Sequence, residues 1–309
     1  MPAPKLNTRD LLSIADLCPP ELLGLLSRSQ ELRTQSAGAP LKGKTVALVF
    51  EKPSLRTRVS FEVAITQLGG HPIYLGKEEV GLGTREPISD LARVLSRMVD
   101  GIVCRTFKHS DQEELASFCS VPVINGLSNV EHPCQAVADL LTIQEHRGKL
   151  AGVTVAFVGD GNNVAASLAL ACAAAGVRFR IASPEGYELA SDVVDKATAT
   201  AGATGAEVCL LRSPQEAVEG ADVVYTDVWA SMGQEKEAAA RRRAFEGYQV
   251  NEALLAGARP DAIIMHDMPA HYGDEVPPGF LDHPRSVAFD QAENRLHSTR
   301  AILEALLTR

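Results

Sequence analysis

Ser54, Leu55, Arg56, Thr57 and Arg58 follow the apolar run Thr45-Val46-Ala47-Leu48-Val49-Phe50, which reads as a strand. Periodicity predicts a helix over about 57–68, so these five residues lie at a helix start. Unpaired backbone N–H groups and a partial positive charge collect there, which suits a phosphate or carboxylate. The two arginines add forked donors, and the Ser54 and Thr57 hydroxyls can reach anionic oxygens. The plainer alternative is an ordinary capped helix with surface arginines. The expectation is an oxyanion site.

Five more polar clusters each follow a strand-like run. Arg105 ends 101–104, and His132-Pro133-Cys134-Gln135 follows 121–124. Gly159-Asp160-Gly161-Asn162-Asn163 follows 153–158, and Asp227-Val228-Trp229-Ala230-Ser231-Met232-Gly233 follows 223–226. His266-Asp267-Met268-Pro269 follows 262–265. Open α/β sheets bind ligands at such ends. One isolated His or Asn there is usually a cap or turn residue; five clusters together favour a site. The Gly-x-Gly turn lacks the third glycine of a dinucleotide fingerprint, because Val164 occupies that place. Asn162 and Asn163 instead suit hydrogen bonds to a polar ligand. A Ser-His-Asp set, an HExxH and a P-loop are absent, and His132, His266 and His271 lack paired ligand spacing. Neither a metal nor a cofactor is expected.

Strands and helices must alternate to place these clusters. Strands are expected at 45–50, 72–75, 101–105, 121–124, 153–158, 178–182, 207–211, 223–226 and 262–266. Helices are expected near 21–35, 57–68, 89–98, 112–119, 135–147, 163–175, 188–201, 214–219, 235–244 and 251–256, with an amphipathic helix at the end. The stretch 79–87, rich in glycine and charge, reads as a flexible loop. Such alternation implies an α/β fold of two lobes, each a mostly parallel sheet flanked by helices, with the active site in the interdomain cleft. The expected domains are 1–147, joined by the last helix at about 291–309, and 148–290. A length of 309 residues suits two domains, and a net charge of −9 argues against a nucleic-acid partner. The six cysteines form no CxxC pair, and the first ten residues carry no apolar signal core. A reduced, cytoplasmic protein without a membrane span is the expectation.

The chain resembles the ornithine carbamoyltransferases from about Leu41 to its end. The resemblance is carried by Phe50-Glu51-Lys52 with Ser54-Leu55-Arg56-Thr57-Arg58, Ala92-Arg93-Val94-Leu95-Ser96-Arg97, His132-Pro133-Cys134-Gln135, Gly159 to Asn163, Asp227 to Gly233, and Gln291-Ala292-Glu293-Asn294-Arg295-Leu296-His297. It implies transfer of a carbamoyl group from carbamoyl phosphate to the δ-amine of L-ornithine, in a homotrimer with active sites between subunits. By resemblance, Ser54, Leu55 (through its N–H), Arg56 and Thr57 clamp the phosphate. Arg105, His132 and Arg295 lie near the carbamoyl oxygen as positive donors, and Gln135 holds the carbamoyl NH₂. Pro133, Asp267 and Met268 complete the carbamoyl phosphate set. Asn163, Asp227, Ser231 and Met232 grip the amino-acid end of ornithine. Arg105, His132 and Asp267 are the expected catalytic residues.

Three positions depart from the family's pattern. Leu55 replaces the threonine of Ser-Thr-Arg-Thr, which preserves a backbone contact and loses a hydroxyl. Glycine stands near position 81, where a glutamine often reaches a neighbouring subunit. Asp267 and Met268 stand where the family reads His-Cys-Leu-Pro. A carboxylate beside the reacting amine favours the unreactive ammonium, or accepts the amine's proton during attack; the plainer alternative is an aspartate bonded within its own loop. The expectation is a pH optimum above that of cysteine-bearing relatives. A carbamoyltransferase acting on putrescine or a modified ornithine, and a non-catalytic carbamoyl phosphate binder, are the competing readings.

Overall fold

Parallel strands covered on both faces need nearly continuous apolar runs, which Thr45–Phe50, Gly101–Arg105 and Thr154–Val158 approach. The computed structural model describes residues 3–35, 38–231 and 233–308. They form two compact units, Met1–Leu141 with Glu293–Arg309, and Thr142–Ala292.

The first unit runs α1 (Pro19–Thr34), β1 (Thr45–Phe50), α2 (Leu55–Gln67), β2 (His71–Gly76), α3 (Lys77–Val80), α4 (Ile88–Leu95), β3 (Gly101–Arg105), α5 (His109–Phe118), β4 (Val123–Leu127) and α6 (Pro133–Arg147). Its sheet has the order β2-β1-β3-β4 with every pair parallel. Strands β1 and β3 are almost wholly buried, as doubly covered strands must be. The chain leaves β1 toward β2 on one side and returns to β3 on the other. That reversal is the point where such sheets open a crevice. Phe50 and Arg105 are paired there, at the carboxyl ends of the two strands.

The second unit contains β5 (Thr154–Val158), α7 (Asn163–Ala174), β6 (Arg178–Ala182), α8 (Ser191–Thr204), β7 (Val208–Leu211), α9 (Pro214–Val218), β8 (Val223–Thr226), α10 (Ala238–Ala244), α11 (Glu252–Leu255) and β9 (Ile263–His266). Its all-parallel sheet has the order β7-β6-β5-β8-β9, so the reversal falls between β5 and β8. Helix α7 is apolar all round and buried from Val164 to Ala174, and its small side chains allow close packing. Helix α12 (Ala288–Leu307) starts in this unit and ends in the first. No helix among the described residues is long and apolar enough to cross a membrane.

Some boundaries differ from expectation. Residues 79–87 are not all loop: Glu79 accepts the Gly76 N–H at 2.5 Å and helps nucleate α3, which Gly81 then ends at φ +53°. Strand β4 starts at Val123 rather than 121, after Pro122, which has no N–H to donate. Its last residues pass a bulge opposite Cys104 and Arg105. The extra residue, Gly126, belongs to β4, so the bulge bends β4 opposite the Arg105 end of β3.

Candidate active site

Ser54 caps α2 and donates its hydroxyl to Thr57 Oγ1 at 3.0 Å. Arg105 Nη1 reaches the same oxygen at 3.3 Å, and Arg295 Nη2 reaches it at 2.5 Å. A hydroxyl oxygen has two lone pairs, so these contacts use all of its accepting capacity. Two of the donors are guanidinium groups on buried residues. Donors so crowded onto a neutral oxygen mark a place built for an anion with more acceptors. Leu55 opens α2 with its side chain in solvent, and Arg56 follows it half-buried.

His132 is buried beside this cluster. Burial first, then the Arg295 and Arg105 charges, hold its imidazole well below the usual histidine range. The neutral imidazole is thereby favoured. Glu131 fixes the turn before it by accepting the Ile14 N–H at 3.0 Å and the Ser13 hydroxyl. Pro133 starts α6, and Gln135 one turn inside donates Nε2 to Asp139 at 2.8 Å. That bond turns the buried Gln135 Oε1 away from Asp139, and among the described residues nothing donates to it. Burial pushes the Cys134 thiol up to about 12, so it is no nucleophile at neutral pH.

In the second unit the polar residues gather where β5, β8 and β9 end. Asn162 caps α7, its Oδ1 accepting the Val164 and Ala165 N–H groups at 3.0 Å each. Its Nδ2 donates to Asp227 Oδ2 at 2.8 Å. Asn162 is thus a cap and a strut, whereas Asn163 sits half-buried at the first position of the helix. Thr226 pairs with His266 in the sheet, which makes Asp227 and Asp267 neighbours at adjacent strand ends. Asp227 is 5% exposed. Burial, then the Asp267 carboxylate, push its carboxyl up to about 7.

The turn bearing Asp267 is held from behind. His266 Nδ1 accepts the Met268 N–H at 2.8 Å, so Nε2 carries the proton and donates to buried Glu275 at 3.1 Å. Gln291 accepts the His266 N–H at 2.9 Å and donates to the Tyr225 hydroxyl at 2.9 Å. Met268 itself lies at φ +62°, costly for a residue with a side chain. Ser231 is half-buried, and its N–H donates to Gln234 Oε1 at 2.9 Å. Met232 lies outside the described residues.

Arg58 does not join the anion cluster. It stacks 3.7 Å over Tyr74 and pairs with Glu62 at 2.9 Å on the outside of α2. A separate shallow cavity of about 310 Å³, lined by Glu51, Lys77, Thr84 and Arg85, contains none of the expected site residues. Sequence reasoning gave no role to Lys52, Glu275 or Arg241. Lys52 is buried, with its ammonium 4.4 Å over Phe107, and burial followed by the Arg105 charge lowers its pKa. Its place in Phe50-Glu51-Lys52 is the signal that could have found it.

Residues 9–145 match the carbamoyl-P binding domain of the aspartate/ornithine carbamoyltransferases, and residues 151–306 match the family's Asp/Orn binding domain. An ornithine carbamoyltransferase of Anoxybacillus flavithermus is 50% identical, with 98% of each chain covered. One of Acidothermus cellulolyticus is 53% identical over 97% of this chain and 96% of its own. The solved structure of the Pyrococcus furiosus ornithine carbamoyltransferase superimposes with a TM-score of 0.95, at 48% identity and 98% coverage of both chains. The chain belongs to the aspartate/ornithine carbamoyltransferase family.

Proposed function

We propose that this protein transfers the carbamoyl group of carbamoyl phosphate to the δ-amine of L-ornithine, giving L-citrulline and phosphate. The convergence of Ser54, Arg105 and Arg295 on Thr57 Oγ1 carries the reading. It supports a site for an anion at the start of a helix, as the phosphate of the donor requires. Ser54, Thr57, Arg56 and the Leu55 N–H take the phosphate. Arg105 and Arg295 face the charge that develops on the carbamoyl oxygen when the amine attacks. Neutral His132 serves that oxygen as a hydrogen-bond donor rather than as a cation. The open Gln135 Oε1 suits the carbamoyl NH₂, and Pro133 keeps Gln135 at the helix start.

The acceptor binds through residues of the second unit. Asp227, oriented by Asn162, takes the α-ammonium, while Asn163, Ser231 and Met232 hold the rest of the amino-acid end. Asp267 and Met268 border the reacting amine. The amine nitrogen bonds to the carbamoyl carbon, the carbon–oxygen bond to phosphate breaks, and the amine gives up a proton. With Cys134 protonated, direct transfer needs no covalent enzyme intermediate. Much of the rate then comes from positioning and fixed charge.

The domains are assigned as 1–147 with the last helix, 291–309, for carbamoyl phosphate, and 148–290 for ornithine. The assembly is a homotrimer in the cytoplasm. Leu55, Val59 and Val63 form an exposed apolar stripe at helical spacing on α2, which supports burial against another subunit. Six free thiols support a reducing compartment.

The test supplies purified protein with carbamoyl phosphate and, separately, ornithine, aspartate or putrescine. Citrulline from ornithine, with little product from the others, is the expected result. Preferential carbamoylation of another amine, or tight carbamoyl phosphate binding without any turnover, would replace the reading.

A further inference from the structure

Two of the proposed acceptor-binding segments are loops, and loops alone hold ligands imprecisely. The turn Gly159–Asn163 follows β5, and the segment Asp227–Gly233 follows β8. Both converge on one side chain. Arg241, on α10, is 7% exposed. Its Nη1 donates to Asp160 Oδ2 at 2.6 Å and to the Trp229 carbonyl at 2.8 Å. Its Nε donates to Glu237 at 3.2 Å. Its guanidinium lies 4.9 Å from the Tyr187 ring centroid, and the Tyr187 carbonyl accepts the Gly161 N–H at 2.8 Å. Phe245, one turn along from Arg241, stacks on Trp229 and meets Tyr187 edge-on.

One planar group therefore ties three segments together. Asp160 stands two residues before Asn162 and three before Asn163. Trp229 stands between Asp227 and Ser231. The contacts fall on segments that bear the acceptor's expected partners. We infer that Arg241 is a positioning residue for the acceptor site, locking the Asn162–Asn163 turn to the Asp227–Ser231 segment through Asp160 and the Trp229 carbonyl. The inference rests on the acceptor site proposed above.

Chemistry narrows what would replace it. A guanidinium can serve both acceptors from a fixed fork, whereas a lysine is a point charge on a flexible stem. Burial raises the Asp160 pKa, and the neighbouring Arg241 charge offsets part of that rise. Removing Arg241 leaves a buried carboxylate without its cation, which must protonate or move. Either response loosens the turn. The Glu237 arm is different, since the Glu237 side chain is 61% exposed and adds little.

The test measures steady-state kinetics with each substrate varied in turn, for wild type, Arg241→Gln, Asp160→Asn, the double variant and Glu237→Gln. Asp160→Asn keeps the shape of its side chain, so it covers the case in which Arg241→Gln fails to fold. In Arg241→Gln and Asp160→Asn, KM for ornithine should rise about tenfold or more while KM for carbamoyl phosphate holds. The double variant should be little worse than either single one, because both break the same link. Glu237→Gln should resemble wild type. An unchanged ornithine KM, or equal rises for both substrates, would overturn the inference while wild-type turnover leaves the transferase reading standing. A wild type without turnover would overturn that reading, and this inference with it.

Discussion

Thr57 Oγ1 shows at the level of single atoms why an anion is wanted. Ser54, Arg105 and Arg295 all meet one oxygen that can accept from two donors. Arg295→Lys keeps the charge and loses the fork, so it tests geometry rather than sign. It should lower kcat by about a hundredfold, in line with losing one transition-state donor. Initial rates at saturating ornithine would check this. Asp227 titrates in the working range because burial and the Asp267 carboxylate raise it to about 7. Below that pH it is neutral and holds an ammonium poorly; above it the carboxylate forms. Ornithine affinity should therefore rise with pH through about 7 and level off. Asp267→Cys removes the second of the two causes, so the rise should move to lower pH, together with the pH optimum. Superimposable profiles for wild type and Asp267→Cys would remove Asp267 from any role at the acceptor. The sequence already showed which strand ends carry polar residues. It did not show that Arg58 turns outward or that His132 is neutral, because both follow from neighbours distant in the chain.

Among the secondary-structure elements, the site is a product of sheet order. Each sheet reverses direction once, between β1 and β3 and between β5 and β8, and four of the six polar clusters follow those strands. Alternation in the sequence revealed the strands; it could not reveal their order. Helix α7 shows how one residue serves two scales. Asn162 caps it through Oδ1 and steadies Asp227 through Nδ2. Asn162→Asp keeps a good cap, yet it replaces a donor to Asp227 with a second carboxylate. The variant should melt near the wild-type temperature and bind ornithine far more weakly. A matched loss of thermal stability, of about 1 kcal/mol or more, would mean that the cap is its only role. Arg241 was hidden in Arg241-Arg242-Arg243, a run that reads as a solvated face. Arg242 indeed pairs with Asp274 at the surface, and only tertiary contacts single out its neighbour.

For the whole molecule, the apolar stripe on α2 joins the anion site to assembly. Leu55 is 74% exposed and Val59 48%, on the helix whose first turn holds Ser54 and Thr57. Such a stripe is disfavoured in water and favoured against another subunit. In the proposed homotrimer, Val59→Asp should shift the mass from three 33.0-kDa chains toward one, as light scattering would report. An unchanged mass would place the interface elsewhere. Chain length and the alternation of strand-like and helix-like runs made two α/β lobes legible in the sequence, whereas the stripe was not. Its residues fall in the middle of an ordinary amphipathic pattern, and only exposure separates an outer apolar face from the core.

The Thr57 cluster is proposed to hold a carbamoyl donor whose group passes directly to ornithine. Phosphate and citrulline, measured together during steady-state turnover with ornithine, test it most directly. Release of the two products one for one, with both rates falling together in Arg295→Lys, is the expected result. Phosphate released without matching citrulline, or neither product at saturating ornithine, would contradict it.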